Sequence, residues 1–373
     1  MVQQQTQTTE APRVALLPAT YRTAEQQIAA ALQLIDYTPQ RRQILLKPNL
    51  VNLPGPRLLG GVRRYAITDL RFIEALLRLW RGYDITIADG SVIETDRVLR
   101  ESGLVALARQ YGAQVVNLDH AERYELPWAY GTLRLPKILQ THEYINLPKL
   151  KTHYQTTVTL GCKNQKGLLT RADKVRFHRR LGLHMAIQAL TDVVQPDLTI
   201  VDGIDAMEGA GPTHGHLRRA NLIVAGRDVR AVDTACCDLM GVPVAQVDHL
   251  AHWPYQVVGH PLETLRQQFL IEQELVIGNV HFHVVDSTCS RCMQSMYQGI
   301  FFWWRSPRRL LRGLWSCILH RTDILTGQMD TIPTTAVGRL ICYGDCARPL
   351  AEKEGLRWIP GCPPSLGQHL EIY

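Results

Sequence analysis

Nine cysteines and a set of clustered lysines are the residues of this 373-residue chain with the most chemistry to offer. Six of the nine cysteines lie after residue 288, so the thiols are concentrated at one end. Cys289-x-x-Cys292 is a compact pair able to chelate one metal or one corner of a cluster. Cys342 and Cys346 flank a Tyr-Gly-Asp turn, and Cys362 sits in Gly-Cys-Pro-Pro. An odd number of cysteines does not make a disulfide framework, and motif spacings in a chain of this size point to metal or catalysis. Four thiolates commonly hold a 4Fe-4S cubane. Proline after a ligand cysteine fixes the backbone direction and shields the cluster from water. The spacing therefore predicts Cys289, Cys292, Cys346 and Cys362 as metal ligands, with Cys342, inside the apolar run LICY, as core. Zinc is the alternative occupant. Zinc ribbons usually carry two Cys-x-x-Cys knuckles, and here only one is clean. Cys162, Cys236, Cys237 and Cys317 are expected to behave as small buried hydrophobes.

A second constellation lies mid-chain. Lys47-Pro-Asn49, Asp89-Gly90, Lys149-Leu-Lys151-Thr-His153 and Asp202-Gly203, with Glu208 close behind, all fall where strands are expected to end. TLGCKNQKG (159–167) adds Lys163, Asn164 and Lys166 between two glycines. Ligands of a parallel α/β sheet sit outside the carboxyl ends of its strands. Lysines there suit a carboxylate or phosphate, each offering a point charge and up to three donors. Lys47, Asn49, Lys149, Lys151, Lys163, Asn164 and Lys166 are thus expected to bind a small anionic substrate. His153 or His178 would move protons. Asp202 and Glu208 would act as acid and base or share a divalent ion. No GxxxxGK[ST] and no GxGxxG after the first strand is present, so ATP and dinucleotide readings have no motif support. Each lysine taken singly also fits a solvated surface position.

The elements that must position these residues alternate between strand and helix. RVALLPA (13–19), QILLKPNLV (43–51), DITIADGS (84–91), AQVVNLD (113–119), YINLPKLKT (144–152), DLTIVDGIDAMEG (197–209) and NLIVAGRD (221–228) carry strand patterns. Between them run helical segments at 23–35, 68–81, 183–194 and 229–241, and one continuous helix through VLRESGLVALARQYG. Thr23 with Gln26 reads as a capping box, and Thr68 or Asp69 as a cap. The rhythm predicts an α/β body, a mainly parallel sheet with helices on both faces. Residues 1–12 read as a polar tail, 13–279 as the body, and 280–373 as a small cysteine-bearing module.

The formal net charge of +7 leaves nucleic acid, anionic lipid or a small anion open as partners. The basic residues are local clusters, and no nucleic-acid signature is present. From Cys289 to Arg321 there are six arginines and no acid. This aromatic-basic stretch, around 300–320, could cover a cluster, dock a partner protein or rest on a membrane surface. No run approaches the roughly 18 apolar residues of a membrane span, and no signal peptide is apparent, so a cytoplasmic location is expected.

LLKPNLV, INLPKLKTH, TLGCKNQKG and DGIDAMEGAGPTHG, in that order, resemble the domain-of-unknown-function 362 family, over roughly residues 40 to 250. The tail CSRC…GDC…GCPP resembles the iron–sulfur region of many members, and GCPP is also similar to the last cluster-ligand segment of hydrogenase small subunits. The resemblance implies an α/β body, often with 4Fe-4S ligation, and no settled reaction. The two-cluster ferredoxin run is missing here, so one cluster is expected. The leading expectation is an iron–sulfur oxidoreductase or an electron-transfer component acting with a partner protein on a small anionic substrate. A lyase or hydratase using an open iron as Lewis acid is a second. A non-enzymatic protein with a structural metal module is a third.

Overall fold

The computed structural model describes residues 10–51, 64–90, 94–177, 181–213, 215–271, 275–277, 279–285, 288, 292, 295 and 320–365. The strands are β1 (Arg13–Pro18), β2 (Gln43–Pro48), β3 (Asp84–Asp89), β4 (Gln114–Asn117), β5 (Arg123–Trp128), β6 (Gly131–Pro136), β7 (Glu143–Leu147), β8 (Lys149–His153) and β9 (Thr157–Val158). They continue as β10 (Leu198–Glu208), β11 (His216–Gly226), β12 (Gln256–Gly259), β13 (Leu275–Ile277), β14 (Val280–Val284), β15 (Thr322–Thr326), β16 (Arg339–Tyr343) and β17 (Arg357–Ile359). The helices that matter below are α1 (Ala24–Leu34), α2 (Leu70–Leu79), α3 (Thr95–Glu101), α4 (Leu104–Gln110), α5 (Ile138–Thr141), α6 (Gly161–Asn164), α7 (Arg171–Arg176), α8 (Leu183–Val193) and α9 (Val229–Met240).

The main sheet runs β12-β1-β11-β10-β7-β2-β3-β4, with β8 and β9 attached beside β10. All pairs from β10 to β4 are parallel, while β11 is antiparallel to both of its neighbours. Side chains alternate across a strand, so each buried strand feeds two cores. Ile44 and Leu46 of β2 pack with Ile28 of α1 and Phe72 of α2, whereas Leu45 joins Phe177 and Leu190 on the other face. Likewise Ala15 and Leu17 share the first core, and Val14 and Leu16 pack with Val229 of α9. Helices therefore cover both faces, as the alternation of elements predicts.

Three local differences from the sequence reading have plain causes. The helix expected through VLRESGLVALARQYG is two helices, α3 and α4, because Gly103 adopts φ +89° between them. Thr23 makes no side-chain cap to α1 and instead bonds back to Thr20, while Asp69 does cap α2 by accepting from Arg71 N. The strand expected to end near Asp202 continues as the 11-residue β10, bulged between Gly203 and Asp205.

The C-terminal residues form a second sheet, β13-β14-β15-β16-β17, parallel from β14 onward. Gln155 ties it to the body, its side-chain amide donating to the carbonyls of Val285 (2.8 Å) and Thr288 (2.7 Å). Tyr154 and Ala210 of the body pack against the apolar cluster of this sheet, which contains Cys292 and Tyr343.

Candidate functional site at the carboxyl edge of the sheet

Chain order reverses at β2. From there the path runs outward through β3 and β4, then returns to the opposite flank with β7. A crevice opens at such a reversal, outside the carboxyl ends of the strands. Lys47 and Asn49 leave β2 there, Asp89 ends β3, and Pro148 separates β7 from β8, which carries Lys149 and Lys151. Thr68 holds the two sides together, accepting from Asn49 N and donating to the Leu147 carbonyl, both at 2.8 Å.

The lysines are not an exposed rim. Lys47, Lys149 and Lys151 are each at most 1% exposed. Buried charges need partners, and two of the three have carboxylates. Lys47 Nζ donates to Asp89 Oδ1 at 2.7 Å, and Lys149 Nζ to Asp202 Oδ2 at 2.7 Å. Asp89 also accepts from Leu50 N and Gly90 N, and Asp202 from Asp69 N. Lys149 and Asp202 are register partners across the parallel β8 and β10, so the pair is built into the sheet. Burial pushes the Asp202 carboxyl upward, and Lys149 opposes that shift.

Lys151 differs. Its ammonium donates to Asn49 Oδ1 (2.8 Å), the Ala66 carbonyl (2.6 Å) and the Pro212 carbonyl (3.3 Å), all neutral. Burial and repulsion from Lys149 bring its pKa down to about 7, against an opposing pull from Asp89. Asn164 links both strand ends. Its Oδ1 accepts from Asn49 Nδ2 at 2.9 Å and its Nδ2 donates to Asn146 Oδ1 at 2.8 Å. Lys163, its neighbour on α6, is half-buried, and its side chain makes no hydrogen bond or ion pair among the described residues. Burial, then Lys166 and Lys151, hold its amine well below the usual lysine range.

The glycines bounding TLGCKNQKG are fixed by space. A Cβ on Gly167 would lie 2.4 Å from Asp89 Oδ1 and 2.6 Å from Lys47 Nζ. One on Gly161 would meet Val229 Cγ2 at 2.7 Å. Asp233 of α9 anchors the start of α6, accepting from Gly161 N (2.7 Å) and Cys162 N (2.8 Å). Burial raises the Asp233 pKa to about 7 despite these two donors. Cys162 points into the apolar cluster with Val229 and Cys236, and burial pushes its thiol well up, so it is not a reactive thiol.

Other expected residues are placed differently. His153 is buried, its Nδ1 accepting from Gln155 N and Thr156 N, and its ring stacks on Tyr154. Asp202 and Glu208 do not meet. They lie six residues apart on one strand, about 20 Å at ~3.3 Å per residue, and Glu208 faces Leu270 N and Arg218. A divalent ion shared by these two carboxylates is therefore corrected: Asp202 is spent on Lys149. His178 lies outside the described residues. Sequence reasoning did not single out Asn146, Asp233 or the pair His184–His249, whose Nδ1 atoms are 3.1 Å apart. An asparagine within the apolar run YINL was the available signal for Asn146.

At the cysteine end, Cys342 is buried in the core with Leu325 and Leu350. The turns after β16 and β17 are cross-linked, with Asp345 N donating to the Gly361 carbonyl (3.0 Å) and Gly361 N to Asp345 Oδ1 (2.7 Å). This sets Cys346 and Cys362 on adjacent turns. Cys292 Sγ lies 3.3 Å from the Cβ position of Gly344 in the same pair of turns. Three of the four expected ligands thus approach one end of the second sheet, and Cys289 lies outside the described residues. Among the described residues, no group of three or more His, Cys, Asp or Glu side chains closes into a metal-holding set.

The fold and this edge define an α/β protein with a buried lysine–asparagine network at a topological switch point. The chain belongs to the family described as domain of unknown function DUF362, whose profile matches residues 44–238. It is 31% identical over 221 residues to the thylakoid-associated protein sll1697 of Synechocystis sp. (strain ATCC 27184 / PCC 6803 / Kazusa). That match covers 56% of this chain and 66% of the relative, so the chain spans just under two thirds of the relative's length. No solved structure matches. No helix among the described residues is long and apolar enough to cross a membrane.

Proposed function

We propose that this chain is an iron–sulfur oxidoreductase, or the electron-transfer component of one, that takes a small anionic substrate at the carboxyl edge of its main sheet. One observation carries the substrate half. Lys47 and Lys149 are neutralised by Asp89 and Asp202, whereas the partly exposed Lys163 side chain has no carboxylate partner among the described residues and lies on the same short helical stretch as Lys166. A lysine in a partly desolvated place, with no carboxylate on it among the described residues, is completed by an anion. Lys163 would meet that anion. Asn49 and Asn164 hold the loop that presents it, and Lys151 contributes its field from below.

For the redox half, the support is the approach of Cys292, Cys346 and Cys362 to one pair of turns. With Cys289 they would hold a 4Fe-4S cluster, which supplies one-electron transfer when bound. Zinc is the competing occupant of the same thiols. Tyr154, stacked on His153 and packed into the cluster of apolar residues around Cys292, brings the two halves into contact. An electron partner at a membrane surface fits this reading, since the relative is named for its association with thylakoids. Anaerobic purification with iron, sulfide and zinc analysis tests the redox half. About four irons and four sulfides per chain, with a dithionite-reducible EPR signal, support it. One zinc without sulfide would leave only the anion site.

A further inference from the structure

Gln155 ties the second sheet to the body, and three histidines close on the turn that carries it. Its side-chain amide donates to the Val285 and Thr288 carbonyls at 2.8 and 2.7 Å. Thr288 in turn donates its hydroxyl to the Thr326 carbonyl at the end of β15 (2.7 Å), so the tie reaches the parallel strands. The turn itself is shaped by His153, whose Nδ1 accepts from Gln155 N (3.1 Å) and Thr156 N (3.3 Å). His184, near the start of α8, places Nε2 3.3 Å from the Gln155 carbonyl and Nδ1 3.1 Å from Nδ1 of His249. All three rings are only 5–7% exposed.

These contacts occupy the nitrogens that an added proton would need. A carbonyl only accepts, so His184 carries its hydrogen on Nε2, and its Nδ1 lone pair takes the Nδ1–H of His249. A further hydrogen on His184 Nδ1 would displace the one that His249 places there. The Nδ1 lone pair of His153 is occupied in the same way, by two backbone N–H groups. Charging either ring where it stands therefore removes a hydrogen bond that holds the Gln155 turn. On His249 the lone pair lies on Nε2. There burial disfavours the charged ring and the charges of His184 and Lys163 act in the same direction, its pKa held down to about 3. Among the described residues, the carboxylate set against the pair is Asp248, 4.0 Å from His184 Nε2 and mostly exposed, so solvent screens it. On His153 the Tyr154 ring is stacked, with centroids 4.8 Å apart.

We infer that this turn is an acid-released joint: in mild acid, protonation of His153 and His184 frees Gln155 and unties the second sheet from the body while each sheet stays folded. The direction follows from which state can take the protons. In the open state each ring titrates near 6.5, whereas in the closed state its lone pair is in use. The open state thus binds more protons, and the closed joint is favoured above that range and loses ground as pH falls through it. Between pH 7.5 and 5.5 the opening constant rises by about tenfold for each ring that stays neutral while closed. The joint needs no substrate and no occupant of the cysteines, so it stands apart from the function proposed above.

Hydrogen exchange of the full chain, followed by mass spectrometry at pH 7.5 and 5.5 and corrected for the intrinsic pH dependence of exchange, reads this opening. The peptide over 153–158 is expected to lose protection by about tenfold or more at the lower pH. The peptide over 279–285, whose last residue Gln155 holds, loses protection with it, while β1, β2 and β16 keep theirs. His153→Asn leaves an acceptor where Nδ1 stands and His184→Gln a donor where Nε2 stands, and neither replacement titrates. The double variant is expected to show equal protection of 153–158 at the two pH values. Because the wild-type comparison needs no variant to fold, it decides by itself. Protection of 153–158 that is the same at both pH values, or that is lost together with the whole main sheet, overturns the inference. A pH dependence that survives in the double variant overturns it as well.

Discussion

Replacing Gly167 by alanine adds one methyl group at the place where the edge site has least room. The new Cβ would lie 2.4 Å from Asp89 Oδ1, 2.6 Å from Lys47 Nζ and 2.8 Å from Lys47 Cε. Ordinary contact needs about 3.4 Å, so both members of the Lys47–Asp89 pair must move by roughly 0.6–1 Å. The pair is 2.7 Å long with side chains 1% and 5% exposed, so water cannot replace the lost contact. Separating a buried pair costs about 3–5 kcal/mol, and overpacking about 1–3 kcal/mol. Not both apply in full, since movement relieves the overlap, and about 3–5 kcal/mol is expected. At about 2 °C per kcal/mol for a body of this size, the thermal midpoint falls by about 6–10 °C. Gly82→Ala is the control. Its Cβ meets nothing within 4 Å and only its φ of +96° opposes the change, so about 1 kcal/mol is expected. Circular dichroism melts of the two variants beside wild type make the comparison. A Gly167→Ala shift no larger than that of Gly82→Ala would refute the reasoning about the closed pair.

Three further outcomes follow from the same geometry. Asp202→Asn and Lys149→Met should each destabilise by about 3 kcal/mol or more, and the double variant by less than their sum, with a coupling of at least ~2 kcal/mol in urea unfolding; additive effects would remove the pair from the account. Sulfate affinity should fall as pH rises from 6 to 8, because sulfate keeps its charge throughout while Lys151 is charged below its pKa of about 7 and loses its proton above it; the expected drop is about three- to tenfold, and a flat profile would mean that Lys151 does not act on the anion. Cys362→Ala should lower iron and sulfide content well below that of wild type, while Cys342→Ala, confined to the core by Leu325 and Leu350, should leave both unchanged; the reverse result would exchange their roles.

The alternation of elements and the switch-point placement of Lys47, Asn49, Lys149 and Lys151 were legible because strand ends and Gly/Pro boundaries mark themselves locally. What was not legible is pairing at long range. Nothing beside Lys149 announces Asp202, 53 residues away, as its neutralising partner; only the register of β8 on β10 shows it. The same holds for Asp233, which anchors α6 from 71 residues on, and for His184 and His249. Asp202 was misjudged as a strand-end residue because Asp-Gly commonly marks a turn, whereas here Gly203 sits at a bulge within β10. The glycines of TLGCKNQKG read from sequence only as the bounds of a stretch carrying Lys163, Asn164 and Lys166. In the fold, at Gly161 and Gly167, they are places where no Cβ fits.

The central claim is that a small anion completes the charge around Lys163. It is tested most directly by calorimetric titration of inorganic phosphate and of pyruvate into wild type and Lys163→Met. The account predicts saturable binding of at least one probe to wild type, weakened about tenfold or more in the variant at unchanged thermal midpoint. Equal affinity in the two proteins, or no saturable heat in either, would contradict it.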